Sequence, residues 1–324
     1  MIDLTQTTFI IPVKIEHQDR YRNAKTVLGF LNHHFNTNVF IFESSPDGTS
    51  KLDFLDDLRN LKIKKWNVQD EGVFHRTKYL NIMLDEVDTE VVVNYDIDVI
   101  LDPSNYLECQ NLISSGEFDV IYPYELSGYD SPVESKGQIQ VLPNFDYDLF
   151  SKEFSTSLIK NHPHCITYNA AECGHCIFFK TEVYKKFGGE NEEFVSYGPE
   201  DKERMLRFQK FSSKVGWRKG ERVFHFEHFR GNDSWTTNPF FSQNWRIFST
   251  IDGMNVSDLY NYYASRPYLV NYKTLGIGIS SDKNNFSESG NDSETIHKPT
   301  IIVPNDPGLN KEASTSFNTT GIPR

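Results

Sequence analysis

Along the first half of the chain, short apolar runs alternate with longer stretches in which apolar positions recur every three or four residues. TTFIIPV (7–13) is rich in β-formers and closes on a proline, DRYRNAKTVLGFLNHHF (19–35) has helical spacing, and NVFIFES (38–44) returns to a strand pattern. The same alternation predicts a helix over HRTKYLNIMLDEV (75–87) and strands at VVVNY (91–95) and DVIYPYE (119–125). This order predicts an α/β domain, a mostly parallel sheet with helices on both faces, whose ligands bind beyond the carboxyl ends of the strands. Residues 131–163, rich in Asp, Asn, Phe and Pro, interrupt the pattern and are expected to form a long loop or short helices over that edge. After Leu275 the chain becomes polar, in SSDKNNFSESGNDSETIHKP (280–299) and KEASTSFNTTGIPR (311–324), with one apolar patch at TIIVP (300–304). The expected division is one domain over 1–275 and a polar, flexible tail over 276–324.

Composition narrows the function classes. With 324 residues, 38% of them hydrophobic, the chain can bury a sizeable core. A net charge of −12 argues against a nucleic-acid surface or an anionic membrane as main partner. No apolar run reaches membrane-spanning length and the first residues lack a signal-peptide pattern, so a cytoplasmic protein, at most peripheral to a membrane, is expected. Cys109, Cys165, Cys173 and Cys176 are too few for a disulfide scaffold. ECGHC (172–176) has zinc-like spacing but no second pair at finger spacing, and the following IFFK reads as a core strand. Gly174 there is expected to let backbone approach a substrate.

Two acids break the most apolar strand. VVVNYDIDVIL (91–101) carries Asp96 and Asp98, and two carboxylates at a strand end, two residues apart, are expected to share a face. A turn accounts for such a pair; so does a divalent cation, Mg²⁺ or Mn²⁺, with a phosphate-bearing ligand. GVFHRTKYLNIML (72–84) supplies Phe74, Arg76 and Lys78, a ring and two cations of the kind a nucleoside diphosphate requires, although an amphipathic helix with solvated charges has the same pattern. FGGENEEFVSYGPEDKERMLRFQK (187–210) runs from a glycine- and aromatic-containing loop into Glu200 and Asp201 at the start of a helix, where acids complement the helix dipole or supply a general base. ERVFHFEHFRGND (221–233) holds His225 and His228. In a strand these would face opposite sides, so both reach one ion only if the backbone bends; His228 is the stronger candidate.

The succession FHRTKYLN, NYDIDVIL, FGGENEEFVSYGPEDKE and VFHFEHFRGND resembles the β-1,4-galactosyltransferase group and its bacterial relatives, inverting glycosyltransferases of the GT-A fold, over residues 7 to 235. The resemblance implies a GT-A catalytic domain that transfers a hexose or N-acetylhexosamine from a UDP-sugar to a glycan or lipid-linked glycan in surface polysaccharide synthesis. It implies nucleotide contacts at Phe74, Arg76 and Asp96, with Pro12, Lys14 and Lys78 counted beside them. Manganese would be held by Asp98, His225 and His228, the acceptor by Tyr197 and Gly198, and the base would be Asp201, with Glu200 holding donor or acceptor. The chain departs from the family pattern at Tyr197-Gly198-Pro199, where the family has tryptophan and glycines. Two rival functions are a sugar-phosphate nucleotidyltransferase, which would carry a glycine-rich phosphate loop after the first strand where this chain has IPVKIEHQDRYRN, and a non-catalytic nucleotide-sugar or carbohydrate-binding module.

Overall fold

The computed structural model describes residues 1–69, 72–126, 137–160, 162–168, 173–231 and 237–266. The proposed tail, 276–324, lies outside the described residues. In chain order the elements are β1 (Ile2–Lys14), α1 (Gln18–His34), β2 (Phe35–Ser45), β3 (Leu61–Gln69), α2 (Arg76–Asp85), β4 (Val91–Tyr95), β5 (Val99–Ile100), α3 (Pro103–Ser114), β6 (Val120–Tyr122) and β7 (Gln138–Val141). They continue with α4 (Tyr147–Glu153), α5 (Ser157–Lys160), β8 (Cys165–Tyr168), β9 (Cys176–Lys180), α6 (Thr181–Lys186), α7 (Glu200–Lys210), β10 (Val215–Trp217), β11 (Val223–Phe226), α8 (Phe241–Asp252) and α9 (Val256–Ala264).

Seven strands form the central sheet in the order β10-β6-β9-β4-β1-β2-β3. Strand β9 runs antiparallel to both its neighbours, and the other recorded pairings of this sheet are parallel, as the alternating pattern predicts. Strands β1, β4 and β9 of the sheet interior are apolar because both faces are covered. Phe9 packs against Tyr95 of β4 and Tyr106 of α3, and Phe42, three register positions further along the sheet, stacks on Tyr79 of α2 from the opposite side. Each such fully buried ring contributes on the order of 1.5–3 kcal/mol.

Two strand boundaries differ from the expectation, both at prolines. Strand β1 passes through Pro12, which sits beside Phe42 of β2; the ladder to β4 stops at Ile10, so the missing N–H falls where one side of the strand is no longer paired. Strand β6 instead ends at Tyr122, immediately before Pro123.

A second sheet, in the order β5-β11-β7-β8, stands at the carboxyl edge of the first. Its strands come partly from the 131–163 region expected to be irregular, and it sets His225 of β11 opposite Val99 of β5, one residue beyond Asp98. A smaller apolar cluster of Phe194, Ile251, Leu259 and Tyr263 joins α8 and α9 to the loop before α7. Among the described residues no helix is long and apolar enough to cross a membrane.

Candidate active site

Strand β4 ends at Tyr95, so Asp96, Ile97 and Asp98 lie in the turn to β5 and not in a strand. The expectation that both carboxylates share a strand face is therefore corrected: they turn to different partners. The cause is the buried Tyr95 hydroxyl, which donates to the Val99 carbonyl at 2.7 Å across the turn and lies 2.6 Å from the Tyr106 hydroxyl. The turn is pinned from below and presents its two acids at the edge of the sheet.

Asp98 is buried and faces both histidines. His228 Nε2 is 3.1 Å from its Oδ2 and His225 Nε2 is 3.7 Å from its Oδ1. One ligand atom from each of the three residues can be chosen so that all lie within 4.8 Å of one another. Both histidines reach the carboxylate because β11 ends at Phe226 and the chain bends over the next two residues. Helix α1 holds that bend: buried Asn23 donates to the Phe226 carbonyl at 3.0 Å and the Glu227 carbonyl at 3.3 Å, and Arg22 Nη2 donates to the Glu227 carbonyl at 2.9 Å.

The ring orientations follow from the next layer of contacts. Gln140 donates its amide to Glu227 Oε2 at 2.7 Å, which leaves Gln140 Oε1 to accept from His225 Nδ1 at 3.0 Å. His228 Nδ1 donates to the Phe229 carbonyl at 2.8 Å. With each Nδ1 set against an oxygen, both rings turn Nε2 toward Asp98, the arrangement by which outer hydrogen bonds orient metal-ligating histidines. Burial pushes His225 down to about 3 against the opposing pull of Asp98, so this ring is neutral at physiological pH. Burial acts to raise the Asp98 carboxyl and its partners pull the other way, Arg20 with a permanent charge, so the group stays well below the usual carboxylate range. Two imidazole nitrogens and a carboxylate converging in a buried place fit a divalent cation, and the mixed nitrogen and oxygen set suits Mn²⁺ better than Mg²⁺.

Asp96 belongs to a second cluster. Arg76, the first residue of α2, donates through Nη2 to Asp96 Oδ1 at 2.8 Å and to Asn94 Oδ1 at 3.1 Å, and its Nη1 lies 3.9 Å from Glu200 Oε1. Glu200 Oε2 is buried with no hydrogen-bond partner among the described residues. Burial and the adjacent Asp201 push Glu200 up to about 8 against the pull of Arg76, so it carries its proton at neutral pH. Asp201 turns elsewhere: a Cβ placed on Gly174 would come within 3.0 Å of its Oδ2. A side chain at position 174 would crowd that carboxylate.

Helix α7 is fixed by buried ion pairs, Arg204 Nε to Glu190 Oε1 at 2.6 Å and Arg207 Nε to Glu203 Oε1 at 2.9 Å, so its amino end holds the two acids in place. Next to Gly174, the His175 carbonyl accepts from the Asp96 amide at 3.0 Å and the His175 ring lies 5.4 Å from the His225 ring. The 174–175 backbone thus joins the Asp201, Asp96 and Asp98 surroundings into one site.

The remaining expected residues are placed as follows. Pro12 and Lys14 stand at the carboxyl end of β1, with Lys14 Nζ 2.6 Å from Glu16 Oε1. The Phe74 ring packs edge-on to Tyr79 at 5.5 Å. Lys78 is exposed on α2, and no contact joins it to Asp96, Asp98 or Glu200 among the described residues. Tyr197 is 40% exposed, and its carbonyl accepts from Asn244 at 3.1 Å and from Asn238. Gly198 lies so close to Asn244 that an added Cβ would fall 2.4 Å from Nδ2. The cysteines are free, and among the described residues Asp98, His225 and His228 form the metal-ligand group. Sequence reasoning missed Arg20, Asn23, Gln140, Glu190, Arg204 and Asn244, each an ordinary polar residue until the fold supplies its partner.

Fold and site together define an α/β protein with a group of possible metal ligands, Asp98, His225 and His228, and two further acids at the carboxyl edge of its sheet. No family model matches the sequence, and no curated protein matches it. Similar solved structures include S. aureus TarS, residues 1–349, in complex with UDP-GlcNAc, at a TM-score of 0.47 and 12% identity over 83% of this chain and 73% of that one. They also include the catalytic domain of Drosophila β1,4-galactosyltransferase 7 with xylobiose, at a TM-score of 0.35 and 12% identity over 67% of this chain and 66% of that one. A mutant of the latter enzyme with manganese, UDP-Gal and xylobiose scores 0.36 at 12% identity, over the same shares. The chain spans about two thirds of the length of the galactosyltransferase structures. With these TM-scores below 0.5, the chemistry of this chain is read from its own residues.

Proposed function

We propose that this protein is a metal-dependent, inverting glycosyltransferase that moves a hexose or N-acetylhexosamine from a UDP-sugar to a hydroxyl of a glycan acceptor in surface polysaccharide synthesis. The observation that carries the reading is the convergence of His225 Nε2 and His228 Nε2 on Asp98, at the sheet edge that also holds the Arg76, Asp96, Glu200 and Asp201 cluster. UDP-sugars as donors and manganese as the ion agree with the bound groups of the similar solved structures.

When bound, Mn²⁺ supplies Lewis acidity to the departing diphosphate. The chain's own groups do the rest. Asp98, His225 and His228 hold the ion, while Arg76, already paired with Asp96, offers a cation to the nucleotide. Asp201 accepts the proton of the attacking hydroxyl. Glu200, protonated in its buried place, donates a hydrogen bond to donor or acceptor and adds no second negative charge beside the base. Tyr197 offers an exposed ring to the acceptor sugar, and Gly198 leaves room for the Asn244 side chain that holds the Tyr197 carbonyl. Direct displacement by the hydroxyl, on the face opposite the leaving group, inverts the anomeric centre. The catalytic unit is assigned to 1–275, with residues 276–324 as an appended tail.

The test is UDP release from UDP-Gal, UDP-GalNAc, UDP-Glc and UDP-GlcNAc, with and without a panel of glycan acceptors, in Mn²⁺, in Mg²⁺ and in chelator. Release from at least one donor that disappears with chelator supports the reading. Absence of release from all four donors, together with absence of UDP binding in Mn²⁺, overturns it.

A further inference from the structure

Arg20 lies in the first turn of α1, and its Nη1 donates to Asp98 Oδ2 at 3.2 Å, the same oxygen that faces His228 Nε2 at 3.1 Å. Its side chain is 29% exposed where that of Asp98 is 6% exposed, so it reaches from the open edge inward to the buried carboxylate. Among the described residues its guanidinium makes no other hydrogen bond. Its neighbours in the chain, His17, Gln18 and Tyr21, line a cavity of about 450 Å³ together with Ile15, Glu16 and Lys51, within the size range of small-molecule sites.

A guanidinium is always charged, and a cation taken by Asp98 must share that carboxylate with it. Two positive groups on one carboxylate repel each other unless an anion enters beside them. A diphosphate meets the need: its oxygens can bind the ion and the guanidinium together, and arginine's planar fork matches phosphate geometry. Simple neutralisation of Asp98 would need no exposed side on Arg20. We propose that Arg20 is a phosphate-binding residue of the donor site, its guanidinium passing from Asp98 to the diphosphate as the nucleotide enters. This assignment rests on the glycosyltransferase reading for the identity of the anion.

The two roles predict opposite signs for one substitution. Mn²⁺ alone, titrated by electron paramagnetic resonance, and UDP in saturating Mn²⁺, titrated by calorimetry, are compared for wild type, Arg20→Ala and Arg20→Lys. Arg20→Ala should bind Mn²⁺ alone more tightly, by about threefold or more, because a competing charge is gone. The same variant should bind UDP about tenfold more weakly, the loss expected for one charge-assisted hydrogen bond. Arg20→Lys should fall between, keeping the charge and losing the fork. Weaker binding of both Mn²⁺ and UDP by Arg20→Ala would make Arg20 a structural support of Asp98 and overturn the assignment, as would unchanged UDP affinity. Should wild type bind neither Mn²⁺ nor UDP, the glycosyltransferase reading falls and takes this one with it; if wild type binds both, a failure at Arg20 counts against this assignment alone.

Discussion

Asp96 and Asp98 stand two residues apart and Glu200 and Asp201 are adjacent, yet the fold treats the two acid pairs in opposite ways. The first pair is separated by a turn and each member is given cationic or imidazole partners: Arg76 for Asp96, and His225, His228 and Arg20 for Asp98. The second pair shares one helix end, where burial and the neighbouring charge push Glu200 up to about 8. Residue type does not decide which acids are charged. Partners do: Asp98 is set among possible metal ligands, Asp96 is paired with Arg76, and Glu200 is pushed toward its protonated form beside Asp201.

The largest effect expected from breaking this contrast is at Asp201. Asp201→Asn should lose turnover by about 10²–10⁴ while UDP affinity in Mn²⁺ stays at the wild-type level, since removing a general base spares donor binding. Steady-state kinetics beside calorimetry checks it; wild-type turnover in that variant would remove Asp201 from the base role. Next comes the helix that carries the pair. Arg204→Ala leaves Glu190 buried without its cation and should cost on the order of 3–5 kcal/mol in unfolding free energy, read from denaturant titration.

Glu200 sharpens the contrast through pH. Its value in the folded chain lies above the ordinary 4.5, so the native state binds the extra proton between about 4.5 and 8. The stability this gives is complete below about 4.5 and is lost as pH rises through about 8. Against Glu200→Gln, which stays uncharged, the wild-type Tm should therefore fall further between pH 5 and pH 8. Arg76, Asp201 and Arg204 are the charged groups acting on Glu200 and are common to both proteins. Parallel Tm profiles would show that Glu200 is ionised throughout. The smallest expected effect separates the two histidines: His228→Ala should weaken Mn²⁺ more than His225→Ala, in line with their 3.1 and 3.7 Å distances to Asp98, as titration with Mn²⁺ alone will show.

The central sheet was legible because its apolar strands and amphipathic helices have distinct periods, and TTFIIPV, NVFIFES and VVVNY each fall within an observed strand. Strand β3, LKIKKWNVQ, was not read as a strand because it is an edge strand dressed with lysines, which hides its pattern. The second sheet was illegible for another reason. Strands β5, β7 and β11 are two to four residues long, and β11 pairs with the other two across more than eighty residues of chain, where no local signal sets register. The site divides similarly. Asp98, His225 and His228 could be named as candidates, and the bend that lets both histidines reach one carboxylate could be stated as a condition. The condition is met by Asn23 and Arg22, which in sequence are two polar residues of an ordinary helix. Arg20 was hidden in the same way, since a charge in a helix's first turn reads as solvated until Asp98 is found beside it.

Asp98 is the proposed anchor of a cation that binds nucleotide. The most direct measurement is UDP affinity of wild type and Asp98→Ala by calorimetry, each with saturating Mn²⁺ and with chelator. The prediction is tight binding by wild type only when Mn²⁺ is present, and loss of that Mn²⁺-dependent binding in Asp98→Ala. Equal UDP affinity in the two proteins, with and without Mn²⁺, would contradict it.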